Sequence, residues 1–299
     1  MRTLGVLINR NIKLFFKDKG MFFTSLITPM ILLVLYVTFL ENVYVDSIRS
    51  ALPEGIELSE KLVSGFAGGQ LISSILAVSC VTVAFCSNML MVQDKANGSI
   101  GDFRVTPVKP WTLSMGYYAA TLVSTLIVCL SAAAICFVYV GATGWYLSAT
   151  DAVLIVLDVI LLCLFGVALS SIVNFFLSTQ GQISAVGTIV SSGYGFICGA
   201  YMPISQFSEG LRRVIMFLPG TYGPALVRNH AMNGVFAAME EDGIPTDFID
   251  SVRDNFDCTL YFFDNKVEEW MMYAVLGGTV AILILTYVFI NILRSKKVG

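Results

Sequence analysis

Asp158 is the charged residue that lies deepest inside a predicted hydrophobic span of this 299-residue chain. A charge at mid-membrane costs at least about 2.5 kcal/mol, so acids in such positions usually have a function. Asp158 lies only about 10 Å along the helix from Asp151 at the start of the span, because each residue adds 1.5 Å. Water or lipid headgroups reach that depth. Two interpretations therefore stay open. Asp158 could take part in proton transfer or substrate binding, or it could be a solvated carboxylate without such a role.

Other chemistry finds little support in the sequence. Six of the seven cysteines lie in hydrophobic segments, and only Cys258 lies outside them. No cysteine pair has metal-ligand or redox spacing, and with His230 as the single histidine we predict neither a metal site nor catalytic residues. No phosphate-binding loop occurs, so we expect no cofactor on this chain.

Composition excludes soluble classes. Hydrophobic residues make up 56% of the chain and charged residues 13%, with a mean hydropathy of +0.78. Soluble domains average about 25% charged residues, so this chain has too few charged residues to cover the surface of a soluble protein. The net charge of −3 offers no broad basic surface for nucleic acid. The sequence predicts a membrane protein.

Six stretches are long enough to cross about 30 Å of hydrocarbon, which takes about 20 apolar residues. They comprise residues 21–40, 66–92, 113–140, 152–176, 183–202 and 270–293. No small-residue cleavage site follows the first stretch, so we expect it to remain in the mature protein. The predicted fold is an all-α polytopic membrane protein with six transmembrane helices, preceded by an interfacial helix over residues 1–20.

The distribution of charge predicts the orientation. Bases outnumber acids before residue 21, in the 93–112 loop and in the tail after residue 293. Acids outnumber bases in the loops over residues 41–65, 141–151 and 203–269, and the 177–182 loop is uncharged. Positive charge remains on the cytoplasmic side of cell membranes. We therefore expect a multi-pass protein of the cell membrane with both termini in the cytoplasm.

The N-terminal segment has the pattern of an amphipathic surface helix. Apolar residues recur every three or four positions, and basic residues fall on the opposite side. The apolar set is Leu4, Ile8, Ile12, Phe15 and Phe16, and the basic set is Arg2, Arg10, Lys13 and Lys17. The cations could serve only to set topology. Alternatively, the helix docks against a cytoplasmic partner.

The loop over residues 93–112 is the most distinctive segment. Gly98 and Gly101 punctuate it, and Pro107 and Pro110 prevent one continuous helix. A short helix between them could present Ile100 and Phe103 to a groove. An ordinary cytoplasmic turn is the alternative.

Small and hydroxyl residues form one stripe on the fifth predicted span. At 100° per residue, they occupy an arc of about 100°; the stripe comprises Ser184, Thr188, Ser191, Ser192, Gly195 and Gly199. The second span adds Gln70, Ser73 and Ser74 without one clean stripe. Such residues allow close helix packing in lipid. The stripe could therefore pack within the subunit, form a dimer seam, or line a translocation path.

The order of several motifs resembles the ABC-2 family of permeases, the membrane subunits of bacterial-type ATP-binding-cassette exporters. After the second span, that family has an acid, then Gly-Thr-Leu, then Thr-Pro-Val; this chain has Asp94, residues 98–100 and residues 106–108 in the same order. Ala96 and Ser99 depart from the family pattern.

The resemblance extends over nearly the whole chain. Arg10 followed by Asn11 and later Pro29 fits its start. The family has a region of re-entrant and external helices between spans five and six. This chain resembles that region at Gly199, Pro203 and residues 218–222, which lead to Arg228.

By resemblance, the loop after the second span implies a coupling helix that contacts the ATPase. The implied contact residues are Asp94, Gly98, Phe103, Arg104, Thr106 and Pro107. The first helix would be a connecting helix, with Arg10, Phe15, Phe16 and Lys17 as its contact residues. Spans two and five would line the path between two permease subunits.

Residues 203–269 form the predicted external region. The first half is fairly apolar and could re-enter the membrane while buried in protein, and residues 236–269 are acidic and would form a solvated cap.

We therefore expect the permease subunit of an ATP-driven exporter. Its expected partners are an ABC ATPase that carries ATP and Mg, a second permease subunit and membrane lipids, with no nucleic acid. An ion- or proton-coupled secondary transporter is the alternative, although no repeat is evident and Asp158 is the lone intramembrane acid. A membrane-embedded enzyme would need clustered polar groups. The substrate class stays open.

Overall fold

A computed structural model of the chain describes residues 2–52, 58–104, 106 and 108–298. Most of this part is helical. The N-terminal half contains α1 (Arg2–Lys17), α2 (Lys19–Leu35), a π-helical turn (Tyr36–Leu40), α3 (Glu41–Ala51), α4 (Glu60–Ala96), α5 (Ser99–Arg104) and α6 (Pro110–Thr143). The remaining elements are α7 (Ala149–Phe176), α8 (Gln180–Ile197), α9 (Glu209–Met216), α10 (Tyr222–Glu241), α11 (Thr246–Asn255), β1 (Leu260–Phe262), β2 (Asn265–Val267) and α12 (Glu269–Val298).

Five helical stretches of the described chain are long and apolar enough to cross a membrane. They are Lys19–Ser50, Glu60–Ala96, Pro110–Thr143, Ala149–Phe176 and Glu269–Leu293. The predicted fifth span forms α8, an 18-residue helix that is not among these five. The all-α polytopic fold is confirmed, and the count of six spans stays a prediction.

Local sequence explains where the main helices begin and end. The Ser148 side chain accepts a hydrogen bond from the Asp151 backbone, and Asp151 reciprocates, which caps the start of α7. Thr179 and Gln182 cap α8 in the same way. Gly98 ends α4 with φ near +80°, a conformation that glycine adopts without strain.

Helix α4 lies at the centre of the bundle. It packs against α2, α6, α7, α8 and α10, and nearly all of its apolar stretch is buried. The outer helices have exposed apolar side chains, such as Phe23 on α2 and Ile282 on α12. Such surfaces suit contact with lipid chains.

The region after α8 is compact. Helix α10 is largely buried and packs against α4, α7 and α12, which explains why its sequence is apolar. Strands β1 and β2 form an antiparallel hairpin that adds a small β element to the all-α prediction. Cys258 is buried there, with its thiol 3.7 Å from the sulfur of Met232.

Candidate functional site

The first candidate site joins α1, α4, α5 and α6 at one end of the bundle. Nη1 of Arg10 on α1 lies 2.7 Å from Oδ2 of Asp94, near the end of α4. The Tyr117 hydroxyl on α6 donates to the same carboxylate at 2.5 Å. The Arg10 guanidinium also lies over the Phe103 ring of α5, 5.2 Å from its centroid. Arg10 therefore contacts both α4 and α5, which are joined at Gly98, and Tyr117 adds α6 through Asp94.

This junction corrects two expectations. Arg10 does not face solvent as Lys13 and Lys17 do; it points toward the bundle, and its side chain is 32% exposed. Asp94 is buried and paired within the subunit, so its carboxylate is not free to contact a partner in this structure. Burial opposes the positive charge of Arg10, but the hydrogen bond and charge of Asp94 outweigh it and raise the pKa of Arg10.

The rest of α1 partly follows its predicted pattern. Phe15 is buried, whereas Phe16 and Lys17 are exposed. Leu7 and Asn11 are also buried and lie on the face that contacts the bundle. The helix is confirmed over Arg2–Lys17, and its inward face is set by Leu7, Asn11 and Phe15.

The predicted short helix after the second span is present as α5. Gly98, Gly101, Asp102 and Thr106 are exposed at this end of the molecule. Phe103 is half-buried beneath Arg10. Pro107 and the side chain of Arg104 lie outside the described part of the chain, so their predicted contacts stay predictions.

A further contact anchors the end of α4 to α7. The Lys95 ammonium donates hydrogen bonds to the backbone carbonyls of Asn174, Phe175 and Leu177 at 2.8–3.1 Å. These carbonyls end α7, where a cation is favoured by the helix dipole. The segment before α5 is therefore fixed to the bundle on both sides.

The predicted stripe on α8 divides into two parts. Ser184, Thr188 and Ser192 are exposed, and Ser191 is half-buried. Gly195 is buried: a methyl group there would lie 2.1 Å from the ring of Tyr201. Gly195 thus packs within the subunit, and the hydroxyl residues remain available to a neighbour.

Gly199 lies just after α8, where the backbone conformation and a close contact with Asp257 both require glycine. Its φ of +69° suits glycine, and an added Cβ would lie 2.8 Å from a carboxylate oxygen of Asp257. The buried Arg228 guanidinium donates to the Gly199 carbonyl at 3.1 Å and lies 3.7 Å from that carboxylate. Arg228 therefore ties the end of α8 to the hairpin region, a role that the sequence did not indicate.

Gln70, Ser73 and Ser74 lie inside the bundle. All three are buried where α4 packs against its neighbouring helices. Their predicted place on a dimer seam, or on a translocation path between two permease subunits, stays a prediction.

Asp158 lies in a second polar cluster. This cluster is near the start of α7, whereas Lys95 of α4 contacts the carbonyls at the end of α7. Its Oδ2 atom is 2.6 Å from Nδ1 of His230 on α10, and its Oδ1 atom accepts a hydrogen bond from Tyr273 on α12 at 2.6 Å. Asp151 accepts from Asn233 one helical turn further along α10. Asp158 is therefore a paired carboxylate rather than a solvated one, and residue spacing did not reveal its partners.

Several apolar helices long enough to cross a membrane, with polar junctions at both ends of the bundle, define a multi-pass membrane protein. The family model described as ABC-2 type transporter matches residues 2–230. The chain therefore belongs to the ABC-2 type transporter family, and it is an ABC transporter permease. Membership implies partnership with an ABC ATPase component. Searches of curated proteins and of solved structures give no match.

Proposed function

We propose that this permease is the membrane subunit of an exporter, that it works as a dimer, and that α5 receives the movement of a separate ATPase. The junction of Arg10 with Asp94 and Phe103 is the observation that carries the proposal. Both termini would lie in the cytoplasm on this arrangement, and ATP and Mg would be held by the ATPase rather than by this chain.

The contacts supply a route from α5 to the centre of the bundle. Two residues, Asn97 and Gly98, separate α4 from α5, so α5 cannot shift far without moving the end of α4. Arg10 holds α1 to both helices, and Tyr117 adds α6 through Asp94. A push on the exposed side of α5 would thus reach the helix against which most other spans pack.

The exposed hydroxyls of α8 support the dimer. Ser184, Thr188 and Ser192 face outward on a helix that packs against the bundle through its other side. Hydroxyl groups gain little from lipid chains but can pack and hydrogen-bond against another helix. A second permease subunit at this face would place α8 at the seam or at the path between subunits.

Exposed α5 residues give the sharpest test of ATPase coupling. We would purify the full chain from its native membranes in mild detergent and identify any bound ATPase by mass spectrometry. Asp102→Lys reverses an exposed charge on α5, and Asp247→Lys makes the same change on exposed α11 as a matched control. We expect the first to lose ATPase and the second to retain it. An ATPase that binds the Asp102→Lys protein as well as the wild type would contradict the assignment.

The dimer is tested separately by disulfide cross-linking. All seven native cysteines are buried, which keeps the background low. We expect Thr188→Cys or Ser192→Cys to give a cross-linked dimer in membranes, and Ile282→Cys, on the exposed face of α12, to give none. Equal cross-linking at Ile282→Cys, or none at either α8 position, would argue against the seam.

One observation favours the alternative of a proton-coupled secondary transporter. Asp158 and His230 form a buried titratable pair, a type of group found in proton relays. Transport that depends on a proton gradient, and continues without any nucleotide-hydrolysing partner, would support it over the exporter.

A further inference from the structure

Three buried cysteines meet at the middle of the bundle although they are far apart in sequence. Cys80 lies on α4, Cys129 on α6 and Cys163 on α7, and their sulfur atoms all lie within 4.8 Å of one another. Each side chain is fully buried. The Cys80 thiol also donates a hydrogen bond to the Val159 carbonyl of α7, 3.8 Å away.

The spacing suits a trigonal metal site. A metal–sulfur bond of about 2.3 Å, repeated three times in a plane, requires sulfur atoms about 4 Å apart. The observed separations leave room for that arrangement with small side-chain shifts. The helices themselves need not move, because each cysteine already faces the common centre.

We propose that Cys80, Cys129 and Cys163 bind one monovalent thiophilic ion of the Cu(I) class. Thiolate ligands select soft ions. No fourth His, Cys, Asp or Glu joins the group within the described chain, whereas structural zinc is almost always four-coordinate. Cysteine binds metals as the thiolate, so binding displaces thiol protons to solvent and the affinity for Cu(I) should rise with pH.

The bound ion would join three spans at the core. Cys80 belongs to the central helix, and Cys129 and Cys163 belong to two helices that pack against it. An ion bound only by the folded chain stabilises that fold in proportion to its affinity. The site does not depend on the ATPase or on the direction of transport, so its test is independent of the proposed function.

The test is a titration of the purified full chain with Cu(I) under anaerobic, reducing conditions, with a competing chelator to set the free ion concentration. We expect one ion per chain, an X-ray absorption spectrum with a sulfur shell near about 2.3 Å, and a raised thermal midpoint. Cys80→Ala, Cys129→Ala and Cys163→Ala should each weaken binding at least about tenfold.

Cys86→Ala and Cys136→Ala are matched controls, because both residues are buried thiols on α4 and α6 but lie outside the cluster. We expect them to bind like the wild type. The spectrum of the wild-type chain decides the matter even if a cluster variant fails to fold. Absence of Cu(I) from the folded wild type, a nitrogen- or oxygen-dominated shell, or unchanged binding in the cluster variants would overturn the proposal.

Discussion

Nδ1 of His230 on α10 lies 2.6 Å from Oδ2 of Asp158 on α7, so the single histidine of the chain pairs with its deepest acid. Tyr273 of α12 completes the cluster through the other carboxylate oxygen. Three helices that are distant in sequence therefore share one buried polar group.

Removing His230 should destabilise the protein. His230→Ala leaves a buried carboxylate with Tyr273 as its remaining side-chain partner, and loss of one member of a buried pair costs about 3 kcal/mol. The measurement is the free energy of unfolding in detergent. Glu240→Ala changes an exposed residue of the same helix and should shift stability by less than about 0.5 kcal/mol. Equal stability of the two variants would contradict the pairing.

The same cluster should make stability depend on pH. Burial lowers the pKa of His230, but the hydrogen bond and charge of Asp158, aided by Glu269 and Asp151, outweigh it and raise the pKa above 6.5. A raised histidine pKa gives stability that is complete below the unfolded value and is lost as the pH rises through the folded value. We expect stability to fall on going from pH 6.5 toward 9.

His230→Gln cannot titrate in this range and serves as the control. Its unfolding free energy should change less with pH than that of the wild type between pH 6.5 and 9. A wild-type profile as flat as that of the variant would show that the histidine does not hold an extra proton in the folded protein.

Arg10 and Asp94 should be energetically coupled. A double-mutant cycle with Arg10→Gln and Asp94→Asn should give an interaction energy of about 1 kcal/mol, within the range for contacting residues, since the pair is only partly buried. Each single variant should also reduce nucleotide-dependent transport, because α1 and α5 lose their shared contact. Lys13→Gln, on the exposed side of α1, should leave both quantities unchanged. Strict additivity of the two changes would refute the coupling.

Gly166 should not tolerate a side chain. An alanine Cβ at this position of α7 would lie 2.7 Å from the Cys80 carbonyl and 3.1 Å from Cα of Val81, both backbone atoms of α4. Gly166→Ala should therefore cost about 1–3 kcal/mol, since overpacking forces the two helices apart. Gly277→Ala on α12 meets nothing within 4 Å and is the control. The thermal midpoint of each variant, measured in the same detergent, distinguishes them.

Patterns local to the chain allowed much of the architecture to be predicted. The 3.6-residue periodicity before residue 20 predicts α1. The glycines and prolines at residues 98–110 predict that the helix between them is short. Long apolar runs predict the spans, and five of the six are present as helices able to cross a membrane. Periodicity and turn residues involve positions only a few residues apart, so they can be recognised in the sequence. The motifs that indicate the family can also be recognised there, because they follow one another in a fixed order along the chain.

Only the tertiary structure decided which polar groups meet. Arg10 and Asp94 are 84 residues apart, and Asp158 and His230 are 72 apart, so no spacing rule connects either pair. The cysteine cluster has no sequence signature either, because its members come from three helices. Periodicity predicts that a helix has a buried face. The packing of α4 against its neighbours determines which residues on the other helices contact that face.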